Sequence, residues 1–288
     1  MADTRIAPGE VWLVGAGPGD PELLTRKAEA LIGAASVIFH DALVSPAIFA
    51  LAPADARCIP VGKRSGRHSK TQEEINRLLV SAALAGERVV RLKGGDPSVF
   101  GRSAEELAAL AAAGIPARIC PGITAASAAA ASAGFSLTLR GAVRRLQFVT
   151  AHARAGETLS LDWNALADPA ATLAVYMGRG AAPEIAARLT ENGLASDTPV
   201  LVAANVSLSD ALLLRTRLDL LPLAAGPQTS DIMHGWRIAG SVQVEPHPHW
   251  AQLQLWSIAE TLMLWMGGGL AAASVLGLMA LRWGLRPL

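Results

Sequence analysis

A short apolar run that ends in a glycine loop and opens into helical spacing recurs along this chain, and that unit restricts the fold to the α/β class. Residues 11–14 (VWLV) run into Gly15-Ala16-Gly17-Pro18-Gly19-Asp20, and Pro21-Glu22-Leu23-Leu24 opens a stretch with helical spacing. Residues 35–39 form a second strand, which ends at His40-Asp41. Residues 71–85 are amphipathic. Residues 88–92 are a strand ending in Lys93-Gly94-Gly95-Asp96-Pro97, 103–113 are helical, 117–120 are a short strand and 122–133 are a small-residue helix. Alternation of this kind argues for an α/β domain.

A second α/β region begins near Arg140, with strands at 146–150, 172–177 and 199–204 and a helix at 181–192. The pattern stops near Gly226-Pro227. The expected organisation is therefore an N-terminal α/β domain over 1–121, a C-terminal α/β domain over 122–227, and an atypical tail over 228–288. The tail holds Trp236, Trp250, Trp256, Trp265 and Trp283, five of the chain's seven tryptophans. Its residues 262–281 are uncharged and mostly apolar. At about 1.5 Å per residue they would span roughly 30 Å as a helix, the thickness of a bilayer core. The first ten residues are polar and lack the apolar stretch of a signal peptide. A net charge of +1 points to no nucleic-acid partner. Cys58 and Cys120 stand far apart and read as reduced thiols of a cytoplasmic protein.

In an open α/β sheet, ligands gather at the carboxyl ends of the strands. The glycine loop at 15–20 begins like a dinucleotide fingerprint, but Pro18 has no N–H to give a pyrophosphate and Asp20 would repel one. A tight turn explains it as well. At Lys93–Pro97 the glycines let a ligand lie against the backbone, and Asp96 adds a carboxylate suited to hydroxyl or amino groups; a plain turn between strand and helix is the other reading. Lys63, Arg64, Arg67, His68 and Lys70 fall within eight residues, spaced by Gly62, Ser65 and Gly66. They are either a solvated face or a loop that wraps a polycarboxylate. Asp41 caps a loop or acts as an acid/base group. The histidines are scattered, with no metal-ligand spacing and no catalytic triad order.

Together these segments resemble the uroporphyrinogen-III C-methyltransferases of the tetrapyrrole methylase family. VWLVGAGPGDPELLTRKA, HDALVSP, VGKRSGRHSKTQEEIN, RVVRLKGGDPSVFGRSAEE, PGITAAS and VYMG occur in that family's order and spacing, from about Val11 to Leu221. The resemblance implies a two-domain fold with a cleft between the domains, a homodimer, and S-adenosylmethionine as co-substrate with no metal. It implies cofactor contacts at Pro18, Gly94, Gly95, Asp96, Val99, Thr124, Ala125, Met177 and Val206. It assigns Asp41 as proton acceptor and Lys63 as proton donor, and turns Arg64 and Arg67 toward the carboxylates of uroporphyrinogen III. The implied reaction is methylation of uroporphyrinogen III at two ring carbons to give precorrin-2, on the way to sirohaem and cobalamin. A methyltransferase acting on a later precorrin is the alternative enzyme. A membrane-associated tetrapyrrole-binding protein with impaired catalysis is the alternative from another class.

The chain departs from that pattern in places. Leu139 stands where many members have histidine, and Ala204-Asn205-Val206 replaces the usual ENG. After Gly226-Pro227 no apolar strand with a late glycine follows, so a neighbouring strand is expected to become an edge and part of the cofactor wall to be lost. Three readings of the tail compete: a single-span anchor at 262–281 tethering a cytoplasmic catalytic part to a membrane, an apolar segment packed on the enzyme or a dimer partner, and a frameshift product. The anchor is preferred, with Gly269, Ala273 and Gly277 as a small-residue pairing face. Arg282 and Arg286 oppose it, because they favour a cytoplasmic C-terminus.

Overall fold

The computed structural model describes residues 5–62, 70–152 and 159–224, together with two short strands at 233–234 and 237–238. The chain divides into two compact units, Met1–Gly226 and Pro227–Leu288. In the first unit, β1 (Val11–Gly15), α1 (Arg26–Ile32), β2 (Val37–His40), α2 (Pro46–Phe49), β3 (Arg57–Pro60), α3 (Gln72–Leu84), β4 (Val89–Lys93), α4 (Ser103–Ala112) and β5 (Ala117–Cys120) come first. The helix α5 (Ala125–Ala133) leads to β6 (Arg145–Thr150), α6 (Trp163–Leu166), β7 (Ala171–Tyr176), α7 (Ala182–Glu191), β8 (Pro199–Ala204), β9 (Leu212–Arg217) and α8 (Leu221–Ala224). Of the second unit, the described part is the antiparallel pair β10 (Met233–His234) and β11 (Arg237–Ile238).

Strands β1 to β5 form one parallel sheet in the order β3-β2-β4-β1-β5. Side chains alternate between the faces of a strand, and here both faces are covered. Trp12, Val14, Val90 and Leu92 pack with α1 and α2, through Leu31, Ile32 and Ile48. Val11, Leu13 and Val89 pack on the opposite face with Ile75, Leu79 and Leu110 of α3 and α4. That double burial is why β1 and most of β2 read as continuous apolar runs, while β4 (VVRLK) carries Arg91 and Lys93 on its buried inner face. Helix α3 starts at a capping box, in which the Thr71 hydroxyl accepts from the Glu74 N–H and the Glu74 carboxylate accepts from the Thr71 N–H.

The later half of the first unit carries two separate ribbons. β6 pairs with β7 in parallel, and β8 pairs with β9 antiparallel. Among the described residues, β7 and β8 each have one strand partner. Leu166, Ile185, Leu189 and Leu218 form the core behind them.

Three sequence expectations are corrected in detail. The helix expected from Pro21 is split: Pro21–Leu23 form a 3₁₀ turn, Leu24 is extended, and α1 begins at Arg26 with Thr25 as N-cap, its hydroxyl accepting from the Ala28 N–H. The helix expected from Gly122 begins at Ala125, since Gly122 is committed to a backbone junction described below. Strands β3 and β9 were not expected. Among the described residues no helix is long and apolar enough to cross a membrane. The apolar run at 262–281 lies outside the described residues.

Candidate active site

The carboxyl ends of β1 and β4 meet in a backbone junction. Gly17 and Gly95 exchange hydrogen bonds, Gly95 N to Gly17 O at 2.7 Å and Gly17 N to Gly95 O at 3.2 Å, and the Ala16 N–H donates to the Lys93 carbonyl. A third loop, after β5, closes on the same point. The Asp96 carboxylate accepts from the Gly122 N–H at 2.9 Å with one oxygen and from the Ser98 N–H at 2.7 Å with the other. Glycine is required by the closeness of this contact. A Cβ at Gly122 would lie 2.3 Å from the Gly95 carbonyl oxygen, and one at Gly15 would lie 2.6 Å from the Gly122 nitrogen. Pro18, Gly94, Gly95, Asp96 and Val99 therefore belong to two loops that the sheet brings together. Asp96 spends its carboxylate on backbone N–H groups within this junction.

Thr124 and Ala125 open α5 next to the junction. The Thr124 hydroxyl makes no N-cap bond; it lies 2.5 Å from the Tyr176 hydroxyl, which also accepts from the Ala126 N–H at 3.2 Å. Tyr176 ends β7, packs against Phe148, and meets Phe100 with ring centroids 5.0 Å apart. The chain's one tyrosine thus ties the loop after β4, the start of α5 and the end of β7 into one structure. Removing its hydroxyl in Tyr176→Phe should cost about 1 kcal/mol, the usual worth of a hydrogen bond. The melting temperature should then fall by about 2–4 °C, as read by calorimetry.

Non-glycine residues with positive φ gather in the same loops. Phe100 (φ 51°) and Arg102 (54°) follow β4, Met177 (57°) follows β7, and Asn205 (49°) and Ser207 (69°) follow β8. Strained backbone of this sort persists where the surroundings enforce it, and clusters at functional sites. Val206 is not among them and is buried. Its neighbour Ser207 accepts from the Asp20 N–H at 3.0 Å, which ties the β8 loop to the β1 loop. Ala125, Met177 and Val206 line a cleft of about 940 Å³ that runs between β7 and β8. That size suits a small-molecule ligand, and the tight glycine junction beside it suits one that lies against bare backbone. The residues present therefore fit S-adenosylmethionine.

Asp41 stands just past β2, the neighbour of β4. One of its carboxylate oxygens accepts from Arg91 Nη2 at 2.5 Å, and its side chain remains 27% exposed. Gly62 packs against it: a Cβ there would lie 2.9 Å from the Asp41 Cα. Lys63, Arg64, Arg67 and His68 lie outside the described residues, which resume at Lys70.

Sequence reasoning missed the ion-pair group under Asp41. Arg91 and Lys93 stand two apart on β4, on the same face as Val89, and so point into the layer of α3 and α4. Glu106 of α4 meets both, with Arg91 Nε at 3.0 Å and Lys93 Nζ at 2.7 Å, and Gln72 of α3 donates to it at 3.4 Å. Burial and the adjacent Arg91 charge pull the Lys93 ammonium below the ordinary lysine range, against the opposing pull of Glu106. Two charges inside the buried strand VVRLK were the signal, since charged groups in a core need partners.

Residues 10–222 match the family of Tetrapyrrole (Corrin/Porphyrin) Methylases. The chain belongs to the tetrapyrrole methylases. It is 52% identical over 203 residues to a uroporphyrinogen-III C-methyltransferase of Paracoccus denitrificans, covering 70% of this chain and 71% of that protein. It is 48% identical over 217 residues to a siroheme synthase of Gluconacetobacter diazotrophicus, covering 75% of this chain and 46% of the synthase. The chain thus spans less than half the length of that synthase. Among solved structures it resembles the uroporphyrin-III C-methyl transferase of Thermus thermophilus complexed with S-adenyl homocysteine. The TM-score is 0.64 at 35% identity, over 82% of this chain and 89% of the other. These matches agree with the resemblance drawn from the motifs and with the α/β tetrapyrrole methylase fold.

Proposed function

We propose that this chain methylates uroporphyrinogen III at two ring carbons, with S-adenosylmethionine as methyl donor, to give precorrin-2. The observation that carries the reading is the placement of Asp41, a partly exposed carboxylate at the same sheet end as the glycine junction. It stands two strand spacings, about 10 Å, from β1. The name of the relative at 52% identity supports the substrate, and that of the siroheme synthase fits the pathway.

When bound, S-adenosylmethionine supplies an already activated methyl group. The chain's part is then alignment: the glycine junction and the start of α5 hold the donor, and the substrate is set against it for in-line attack. Attack by an electron-rich pyrrole carbon leaves the ring cationic. The Asp41 carboxylate stabilises that charge and takes the proton released as the ring recovers. In this reading Pro18, Gly94, Gly95, Asp96, Val99, Thr124, Ala125, Met177 and Val206 contact the donor. Lys63 stands at the position that the family assigns as proton donor, and Arg64 and Arg67 bind substrate carboxylates. The reading also carries a domain boundary at 121/122, a homodimer, and membrane association through 262–281.

Anaerobic incubation of the full chain with uroporphyrinogen III and S-adenosylmethionine, followed by mass spectrometry of the tetrapyrrole, tests it. A product heavier by two methyl groups is expected. Unchanged uroporphyrinogen III together with methylation of a later precorrin would replace the substrate. Binding of tetrapyrrole without release of S-adenosylhomocysteine would replace the activity.

A further inference from the structure

Beneath Asp41 lies a charged group that the binding loops do not use. Glu106 is fully buried, and Arg91 and Lys93 are almost so, while Asp41 alone reaches solvent. Apolar side chains of similar volume stabilise a core as well as a buried ion network does, so the fold by itself gives no reason for these four charges. Their geometry is directional. Arg91 donates through Nε to Glu106, through Nη1 to the Leu92 carbonyl at 3.2 Å and through Nη2 to Asp41. With each guanidinium nitrogen engaged, the planar fork cannot rotate or slide. Glu106 divides its charge between Arg91 and Lys93, so one positive charge of that trio is left over, and Asp41 is where it is spent.

We propose that Arg91 is a positioning residue for Asp41, with Glu106 fixing Arg91 in turn, so that the exposed carboxylate is presented at one point and in one orientation to the reacting ring. This rests on the reading of Asp41 given above. A lysine at position 91 carries the charge but not the fork. Its single ammonium cannot hold Glu106, the Leu92 carbonyl and Asp41 in the observed directions. Misplacing a reacting group by about 1 Å costs on the order of 100-fold in rate.

The test is a double-mutant cycle on the full chain, with Arg91→Lys, Asp41→Asn and the pair assayed for tetrapyrrole methylation, and with S-adenosylhomocysteine affinity as the control. Arg91→Lys should lower kcat by roughly 10- to 100-fold, with KM for uroporphyrinogen III and S-adenosylhomocysteine affinity held within about threefold. In the Asp41→Asn background the same substitution should cost less than about threefold, because the group it positions is already gone. Equal losses in both backgrounds, a loss expressed in KM or cofactor affinity, or no loss at all would overturn the proposal. If Arg91→Lys does not fold, Glu106→Gln takes its place in the cycle; it keeps the side-chain shape and removes the charge that fixes Arg91. Full turnover in Asp41→Asn would remove the reading of Asp41 and this inference with it. A slow Asp41→Asn with additive losses would remove the inference alone.

Discussion

Gly122→Ala is expected to lower methyl transfer by about 100-fold or more, the scale set by displacing a binding loop through roughly an ångström. The clash is with backbone. The added Cβ would stand 2.3 Å from the Gly95 carbonyl oxygen, 2.9 Å from the Gly15 Cα and 3.0 Å from the Gly15 carbonyl carbon. No flexible side chain is available to move aside. Relief must come from separating the loops after β1, β4 and β5, which would stretch the Gly122–Asp96 bond and the Gly17–Gly95 pair. The overpacking should cost about 1–3 kcal/mol, or a fall of roughly 2–12 °C in melting temperature for a unit of this size. Gly180→Ala is the matched control. A Cβ there meets nothing within 4 Å and its φ is not positive, so stability should stay within about 0.5 kcal/mol. Turnover and S-adenosylhomocysteine affinity measured on both variants decide the matter. If Gly122→Ala bound the cofactor product normally, the junction would be a fold device and the donor would lie elsewhere along the cleft.

That junction also shows how far residue pattern alone reaches. The three glycine-bearing loops were legible because each follows an apolar run and each carries an abrupt change of composition. That they converge within van der Waals distance is a consequence of strand order, in which β4 inserts beside β1 and β5 follows on its other side. Strands β1 and β2 were readable within a residue or two for a related reason: a strand covered on both faces is apolar nearly throughout, and β4, which breaks that rule at Arg91 and Lys93, was legible from its apolar start and the glycine loop that follows it. Strand β3 is mostly exposed and reads RCIP, with a proline that suits an edge. Strand β9 reads LLLRTR and alternates over only half its length. Neither carries the pattern that burial would impose. Strands β6–β7 and β8–β9 form two separate ribbons. No further described strand pairs with β7 or β8, and the cleft runs between them.

The site divides in the same way. Asp41, the loop glycines, Thr124 and Met177 came from motifs whose residues lie next to one another in the chain. Tyr176 was inside a quoted motif without a role, and its partners Thr124 and Ala126 are some fifty positions away. Arg91 and Glu106 are separated by fifteen residues and Asp41 by fifty more. A charge on the inner face of a buried strand announces that a partner exists, yet only the packing of α4 on β4 identifies Glu106 as that partner.

Asp41→Ala should lower turnover by about 10²- to 10⁴-fold, the range for removing a proton-transfer group, while S-adenosylhomocysteine affinity stays within about threefold of the parent value. The two readouts separate because Asp41 and the loops proposed to bind the donor sit on different strands. Asp41 follows β2 and bonds to Arg91, whereas the loops after β1, β4 and β5 are joined through Gly17, Gly95, Asp96 and Gly122. The fold should survive the change. Arg91 loses one carboxylate but keeps Glu106 and the Leu92 carbonyl, and the vacated position is open enough for water to solvate its Nη2. Single-turnover rates with uroporphyrinogen III and titration with S-adenosylhomocysteine give the two numbers. A parallel collapse of both would make Asp41 a structural anchor for the sheet end, holding Arg91 and Gly62 in place, and would move the search for the proton acceptor to the other groups that face the substrate. Retained turnover with full affinity would mean that ring deprotonation is left to solvent, and that alignment of donor and substrate supplies nearly all the catalysis this chain performs.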